Sequence, residues 1–358
     1  MLLVSHCDFT GNSGFHVYSI ASELQKRGLS PAVAVPGNVG SVRDLGSPPF
    51  PILSYRDARR GRLRFPDGRG IDLIHAFTPR APVRRLVTDL LRVAPRPYVV
   101  HLEDNESAIV AGRSDPEHAR SFLGGAAGVT AVIDRLLELK PEHVPGVVVW
   151  PGFDEAFLAP RASRADVRER LGIEADDLVL VYPGNVQATN LEDVRSLFLA
   201  VGRLRASGYR AVLVKTGWDF VHRSSLPALG RGIRRLAWVA REHVPGLLAA
   251  ADVLVQPGRS DDYNDFRFPS KLPEFLASGR PVVLPRANIG LHLRDGEEAV
   301  LLDASDPDEV AAKVAVLADD PGLRAEIGRG GRAFALRELR WGRNVDAVVD
   351  LYRRSALG

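Results

Sequence analysis

The sequence predicts an α/β protein of two domains facing each other across a cleft. Two observations carry that prediction. Near the N-terminus the apolar run Leu2–Ser5 leads into a glycine-containing stretch, Asp8–Gly14. A segment with helical spacing follows, in which Val17, Ile20, Ala21 and Leu24 share a face. The same plan returns in the second half. Leu178–Tyr182 leads into Pro183-Gly-Asn-Val-Gln-Ala-Thr-Asn190, then into a helix with Val194, Leu197, Phe198, Val201 and Leu204 on one face. A repeated strand–glycine loop–helix unit is how a parallel sheet covered by helices begins. A chain of 358 residues accommodates two such domains.

Composition narrows the class. Apolar and charged fractions of 45% and 25% are those of a soluble globular protein. No apolar run reaches the roughly 18 residues that suggest a transmembrane helix. Met-Leu-Leu-Val-Ser-His lacks the basic-then-apolar form of a signal peptide and reads as a strand. The single cysteine, Cys7, excludes an internal disulfide and fits the cytoplasm. Net charge is only +3, yet Arg56, Arg59, Arg60, Arg62, Arg64 and Arg69 crowd one stretch, and Arg80, Arg84, Arg85, Arg92 and Arg96 follow. Such runs are usually solvated faces. A basic face also suits an acidic acceptor or anionic lipid headgroups, so peripheral contact with the inner face of a membrane is an expectation. No aromatic-interleaved basic motif or zinc spacing accompanies the arginines, which argues against nucleic acid.

Taken in order, Gly28 suits the end of the first helix and Pro31–Val35 the next strand. Gly11 and Gly14 would let backbone approach a ligand closely. Gly-x-Gly-x-x-Gly is absent, so no nicotinamide or flavin site is indicated. Residues 37–70 read as loops and short strands. Ile71–Pro79 is a strand, followed by a helix with Val83, Leu86, Val87, Leu90 and Leu91. Pro97–Glu106 is a strand whose carboxyl end carries His101, Glu103, Asp104 and Glu106. Ligands of open parallel sheets bind at such ends, so His101 sits where chemistry is expected, although a lone histidine is more often structural. Of the carboxylates Asp104 is the favoured acceptor contact; capping of the next helix is the plainer alternative. Ala127–Ile133 and Val147–Trp150 are further strands. A linker near 155–165 divides an N-terminal domain, 1–158, from a C-terminal one, 159–339.

In the C-terminal half Gly184 would bring its loop close to a ligand. Lys215, at the end of the strand Ala211–Gly217, is a candidate phosphate ligand, and Leu236–Val239 reads as a short strand. The densest signal is Arg267–Pro285. Ser270 and Lys271 lead into a helical segment with Glu274 near its start; Gly279 ends it, and Pro281–Pro285 is a buried strand. A helix start attracts phosphate, Lys271 adds a full charge, and a carboxylate one turn on suits a ribose diol.

Pro269-Ser-Lys-Leu-Pro-Glu-Phe-Leu-Ala-Ser-Gly-Arg-Pro-Val-Val283 resembles the donor-binding signature of family 4 glycosyltransferases, enzymes of two Rossmann-like domains (the GT-B fold). Val244–Pro257 is similar to that family's preceding segment, and Pro151–Phe157 to the turn at its domain crossover, without the family's Asn. The resemblance spans nearly the whole chain and is weakest over 37–70. It implies transfer of a sugar from a nucleotide-diphosphate donor to an acceptor hydroxyl, with retention and no obligatory metal. Envelope polysaccharide, glycolipid or secondary-metabolite acceptors all fit. It also implies an N-terminal acceptor domain joined by a C-terminal helix, 340–358. Carried onto this sequence, Lys271 neutralises the leaving diphosphate, Glu274 fixes the ribose, and His101 lies near the donor sugar, with Asp104 beside it. Gly14, Gly184, Asn185, Lys215, Ser270 and Leu272 complete the donor contacts, and Trp238 or Val239 meets the base. Two departures stand out. Gln187 and Asn190 replace the family's basic pair after Gly184, and Phe266 replaces the acid eight positions before Glu274, with Asp265 the substitute candidate. A sugar-nucleotide epimerase of similar fold and a non-catalytic relative that binds a partner or carbohydrate remain the alternatives.

Overall fold

The computed structural model describes residues 1–63, 65, 68–106 and 116–356. The chain divides into two compact units. The first comprises Met1–Pro151, Phe266–Ser270 and Arg340–Gly358, and the second Gly152–Asp265 and Lys271–Leu339.

The first unit is built on seven strands: β1 (Leu2–Ser5), β2 (Ala32–Val35), β3 (Ile52–Ser54), β4 (Ile74–Phe77), β5 (Tyr98–Leu102), β6 (Gly128–Ala131) and β7 (Gly146–Val148). Their order is β3-β2-β1-β4-β5-β6-β7, and every pairing is parallel. Strands buried on both faces are mostly apolar, and β1, β2 and β4 read Leu-Leu-Val-Ser, Ala-Val-Ala-Val and Ile-His-Ala-Phe, all buried, with Ser5 and His75 the polar exceptions. Helix Asn12–Lys26 covers one face through Val17, Ile20, Ala21 and Leu24. The terminal helix Trp341–Ala356 joins the same core through Val345, Val348, Leu351 and Tyr352.

The second unit holds six parallel strands: β8 (Leu178–Pro183), β9 (Ala211–Thr216), β10 (Ile233–Arg235), β11 (Val253–Val255), β12 (Val282–Pro285) and β13 (Val300–Leu302), ordered β10-β9-β8-β11-β12-β13. Helix Leu191–Ala206 packs Val194, Leu197, Phe198, Val201 and Leu204 into its core. Both units are Rossmann-like. Each has one switch point where the strand order reverses, between β1 and β4 and between β8 and β11. Ligands bind at the carboxyl ends of strands there.

Three expectations shift. The first unit runs to Pro151, not to residue 158, because Phe153 N donates to Leu339 O and ties the crossover to the second unit. The third strand of the second unit is Ile233–Arg235, so Leu236–Val239 is loop. Leu236 N donates to Lys215 O in the last regular bond of the ladder, and Gly217 N then reaches Ala237 O, one residue out of register. The first helix starts at Asn12, so Gly14 lies in its opening turn. A Cβ there would stand 2.6 Å from Asp8 O and from Phe9 Cα. Gly14 is therefore required by the chain's own packing. Among the described residues no helix is long and apolar enough to cross a membrane.

Candidate active site

In the first unit the switch point gathers polar side chains from three places in sequence. Glu103, just past β5, is buried. Its Oε2 accepts from Ser13 Oγ and, at 3.0 Å, from Thr78 Oγ1; its Oε1 lies 2.9 Å from His16 Nδ1. Ser13 and His16 belong to the first helix, and Thr78 follows β4. Burial alone would raise the Glu103 carboxyl, but the His16 hydrogen bond and nearby histidines more than offset it and hold it well below the usual range. A carboxylate only accepts, so His16 Nδ1 carries its hydrogen. Thr78 has φ of 56°, a conformation that costs a β-branched residue of order 1–3 kcal/mol. Its hydroxyl on Glu103 and its N–H on His101 O, 2.9 Å away, hold it there.

His101 is 1% exposed and lies beneath this group. Its Nδ1 is 2.7 Å from Thr130 Oγ1, its ring centroid is 4.7 Å from that of Phe77, and its Nε2 is buried with no hydrogen-bond partner among the described residues. Burial pushes its pKa down to about 4. Asp104 is half-buried and pushed up to about 6, by burial first and then by the Glu103 charge, against the pull of Arg267. One ring nitrogen of each of His16 and His101 and one Glu103 oxygen lie within 4.8 Å of one another, a spacing that suits a metal ion. Both Glu103 oxygens already accept hydrogen bonds, however, so the group is satisfied as a hydrogen-bonded carboxylate.

In the second unit the switch point carries Gly184, immediately after β8. A Cβ on Gly184 would stand 2.8 Å from Lys271 Nζ and 3.3 Å from the Tyr182 ring. The missing side chain makes room for that ammonium, which lies 4.2 Å from the Tyr182 ring centroid in a cation–π contact. Helix Leu272–Ala277 begins beside it but is only six residues long, and Pro273 at its second position offers no N–H. Lys271, more than the helix, supplies positive charge here. Glu274 is mostly buried, and its Oε1 accepts from Arg241 Nη2 at 2.8 Å. Burial raises its carboxyl pKa, and Arg241 pulls against that.

Other expected ligands are engaged within their own loops. Lys215 is 1% exposed; its ammonium donates to Asp219 and, at 3.0 Å, to Gly217 O. Arg235 reaches the same carboxylate at 2.7 Å. Asn185 Oδ1 accepts from Trp218 N at 2.8 Å. Asn190 Oδ1 accepts from Gln187 N, and its Nδ2 donates to Asn185 O, so this amide shapes the loop. Leu272 is wholly buried and is a core residue. Trp238 is 65% exposed, and Val239 is half-buried in the loop after β10. Ser270 falls in the segment grouped with the first unit. So does Phe266, whose ring lies under the Arg135 guanidinium at 5.2 Å. Asp265 Oδ2 accepts from Ser260 Oγ at 2.8 Å, and its Oδ1 is buried without a hydrogen-bond partner among the described residues. Several arginines of the basic stretch carry counter-charges: Arg59 pairs with Asp89, Arg62 with Asp57, and Arg80 with Glu106 through two bonds of 2.8 and 2.9 Å. Arg64 lies outside the described residues.

His16, Thr78, Tyr182 and Arg241 were not singled out from sequence. A signal existed for His16, a polar residue on the apolar face of its helix. Nothing local marks Arg241, 33 residues before its partner.

A family model described as "Glycosyl transferases group 1" matches residues 177–320. The chain is 30% identical to a D-inositol 3-phosphate glycosyltransferase of Acidothermus cellulolyticus, over 98% of this chain and 87% of that one. It is 28% identical to the enzyme of the same name from Kineococcus radiotolerans, over 97% and 92%. The crystal structure of Anabaena HepE in complex with UDP and glucose superposes with a TM-score of 0.78 at 16% identity, covering 98% of both chains, which shows a shared fold. The chain belongs to the family 4 type of glycosyltransferases, of GT-B fold, and is a glycosyltransferase.

Proposed function

We propose that the protein transfers a sugar from a nucleoside-diphosphate donor to an acceptor hydroxyl. One observation carries this reading: the Lys271 ammonium, seated on the Tyr182 ring in the space left by Gly184, at the carboxyl end of β8. A fixed cation at a sheet switch point suits a diphosphate whose negative charge grows as the glycosidic bond breaks. Glu274 Oε1 is taken by Arg241, and Oε2 makes no hydrogen bond among the described residues, which suits a ribose hydroxyl. Catalysis is then chiefly positioning and charge stabilisation, with Lys271 as the cation and no metal called on. The family resemblance supports retention at the anomeric carbon. In the first unit, Asp104 orients the acceptor hydroxyl. The names of the 28–30% identical relatives support a phosphorylated polyol as the first acceptor to try, and the UDP in HepE supports uracil as the first base to try.

The test is calorimetric titration with UDP, GDP, ADP, CMP and dTDP, then assay of the matching nucleotide sugars with inositol 3-phosphate. One nucleotide should bind clearly. Lys271→Ala should weaken it about ten- to hundredfold, the loss of a charge-assisted contact of about 1.5–3 kcal/mol. Unchanged affinity in Lys271→Ala would remove Lys271 from the site.

A further inference from the structure

A buried chain of side chains runs through the first unit from its terminal helix to His101. Tyr352 Oη lies 2.6 Å from His75 Nδ1. His75 Nε2 lies 3.0 Å from Thr130 Oγ1, and Thr130 Oγ1 lies 2.7 Å from His101 Nδ1. His75 and Thr130 are fully buried, and Tyr352 is 5% exposed. The sheet register makes the last link, since Thr130 stands opposite His101 in the β5–β6 pair. The chain ends at His101 Nε2, which is buried and has no hydrogen-bond partner among the described residues.

The hydrogens along this chain follow from counting donors and acceptors. Among the described residues, Tyr352 Oη has His75 as its sole hydrogen-bond partner. Suppose Tyr352 donates to His75 Nδ1. Then His75 Nε2–H donates to Thr130, and Thr130 O–H donates to His101 Nδ1. Only the His101 Nε2–H is left over. In the reverse direction both the Tyr352 O–H and His101 Nε2 lack a partner. If both histidines donate to Thr130, its own hydroxyl hydrogen and His101 Nε2 are stranded. Each stranded buried group costs about 1–3 kcal/mol, so the first arrangement is preferred by roughly that amount. Burial also keeps both rings neutral near pH 7, because it lowers His75 well below its usual value and His101 to about 4.

We propose that Tyr352, His75 and Thr130 are positioning residues that fix His101 as the Nε2–H tautomer, so that His101 donates a hydrogen bond to a substrate oxygen and does not act as a base. The duty toward substrate rests on the function proposed above; the tautomer does not, and is measured on the full chain without ligand. Long-range proton–nitrogen spectra of protein labelled at histidine nitrogens show which ring nitrogen bears hydrogen. His75→Gln and His101→Gln variants assign the two rings. The expected pattern is Nε2–H on both. Nδ1–H on both, or on His101 alone, overturns the proposal. In Tyr352→Phe the end that directs the chain is lost, and an Nδ1–H form of His75 or His101 should appear. Thr130→Ser keeps the hydroxyl and should retain the parent pattern. A Tyr352→Phe spectrum identical to the parent would show that Tyr352 sets nothing.

Discussion

A single hydrogen atom at position 184 decides where the Lys271 ammonium sits. Any Cβ there would come 2.8 Å from Nζ, closer than a carbon tolerates. The backbone is not the constraint, since Gly184 does not adopt positive φ. Gly184→Ala should therefore displace the flexible end of Lys271 without disturbing the sheet. Nucleotide affinity should fall about tenfold or more while the melting temperature moves by only a degree or two, a pairing that titration and calorimetry read together. Equal affinity in Gly184→Ala would mean that Lys271 does not act from this seat. At this scale the sequence was legible in local placement: Lys271 and Glu274 stand at the start of one short helix, as their spacing suggests. It was not legible where a partner is set by loop geometry. Lys215 occupies a strand end of the expected kind, but Asp219, four residues on, takes its charge. His75 also carried a local signal, a polar residue inside an otherwise apolar strand, but its Tyr352 partner is 277 residues away.

Among the elements, the terminal helix Trp341–Ala356 adds Val345, Val348, Leu351 and Tyr352 to the core of the first unit. Leu351 is fully buried, and it lies so close to β6 that a Cβ on Gly128 would be 2.8 Å from its Cδ1. Leu351→Ala should cost about 2–5 kcal/mol, the range for a large-to-small change in a packed core, and lower the melting temperature by several degrees. A change below about half a kcal/mol in denaturant titration would show that the helix is not part of the cooperative unit. Helices and central strands were read well from sequence because apolar periodicity is local. The strand Ile233–Arg235 was misplaced by three residues, since its register depends on the backbone bonds of β9 to the following loop. The helix after Lys271 ends where its pattern suggests, with Gly279 at φ 74° closing it within two turns.

For the molecule as a whole, the buried titratable groups set how stability varies with pH. Between about 4 and 6.5 the unfolded chain protonates His101 and the native chain does not, so stability falls as pH drops through that window. His75 and His6, also lowered by burial, act in the same direction. Asp104 acts against them. Raised from 3.8 to about 6, it holds a proton in the native state that the unfolded chain releases, so acid favours the fold across that interval. Asp104→Asn removes this opposition. The drop in melting temperature from pH 7 to pH 5 should be larger in that variant than in the parent; an equal drop would show that Asp104 titrates normally. At this scale the repeated strand–loop–helix plan revealed two Rossmann-like units. It did not reveal that Phe266–Ser270 groups with the first, because no composition shift marks a five-residue excursion.

That discontinuous first unit has a consequence for synthesis on the ribosome. Residues 1–151 emerge with the surface that Val345, Val348, Leu351 and Tyr352 will cover still bare. Residues 152–339 must be made before the covering helix exists. At about 5–20 residues per second that delay is on the order of ten seconds or more. The second unit, uninterrupted except for five residues, is complete by Leu339. The half of the chain translated first is therefore the half that finishes folding last, and during that interval its open apolar face is the part of the nascent chain exposed to chaperones and to aggregation.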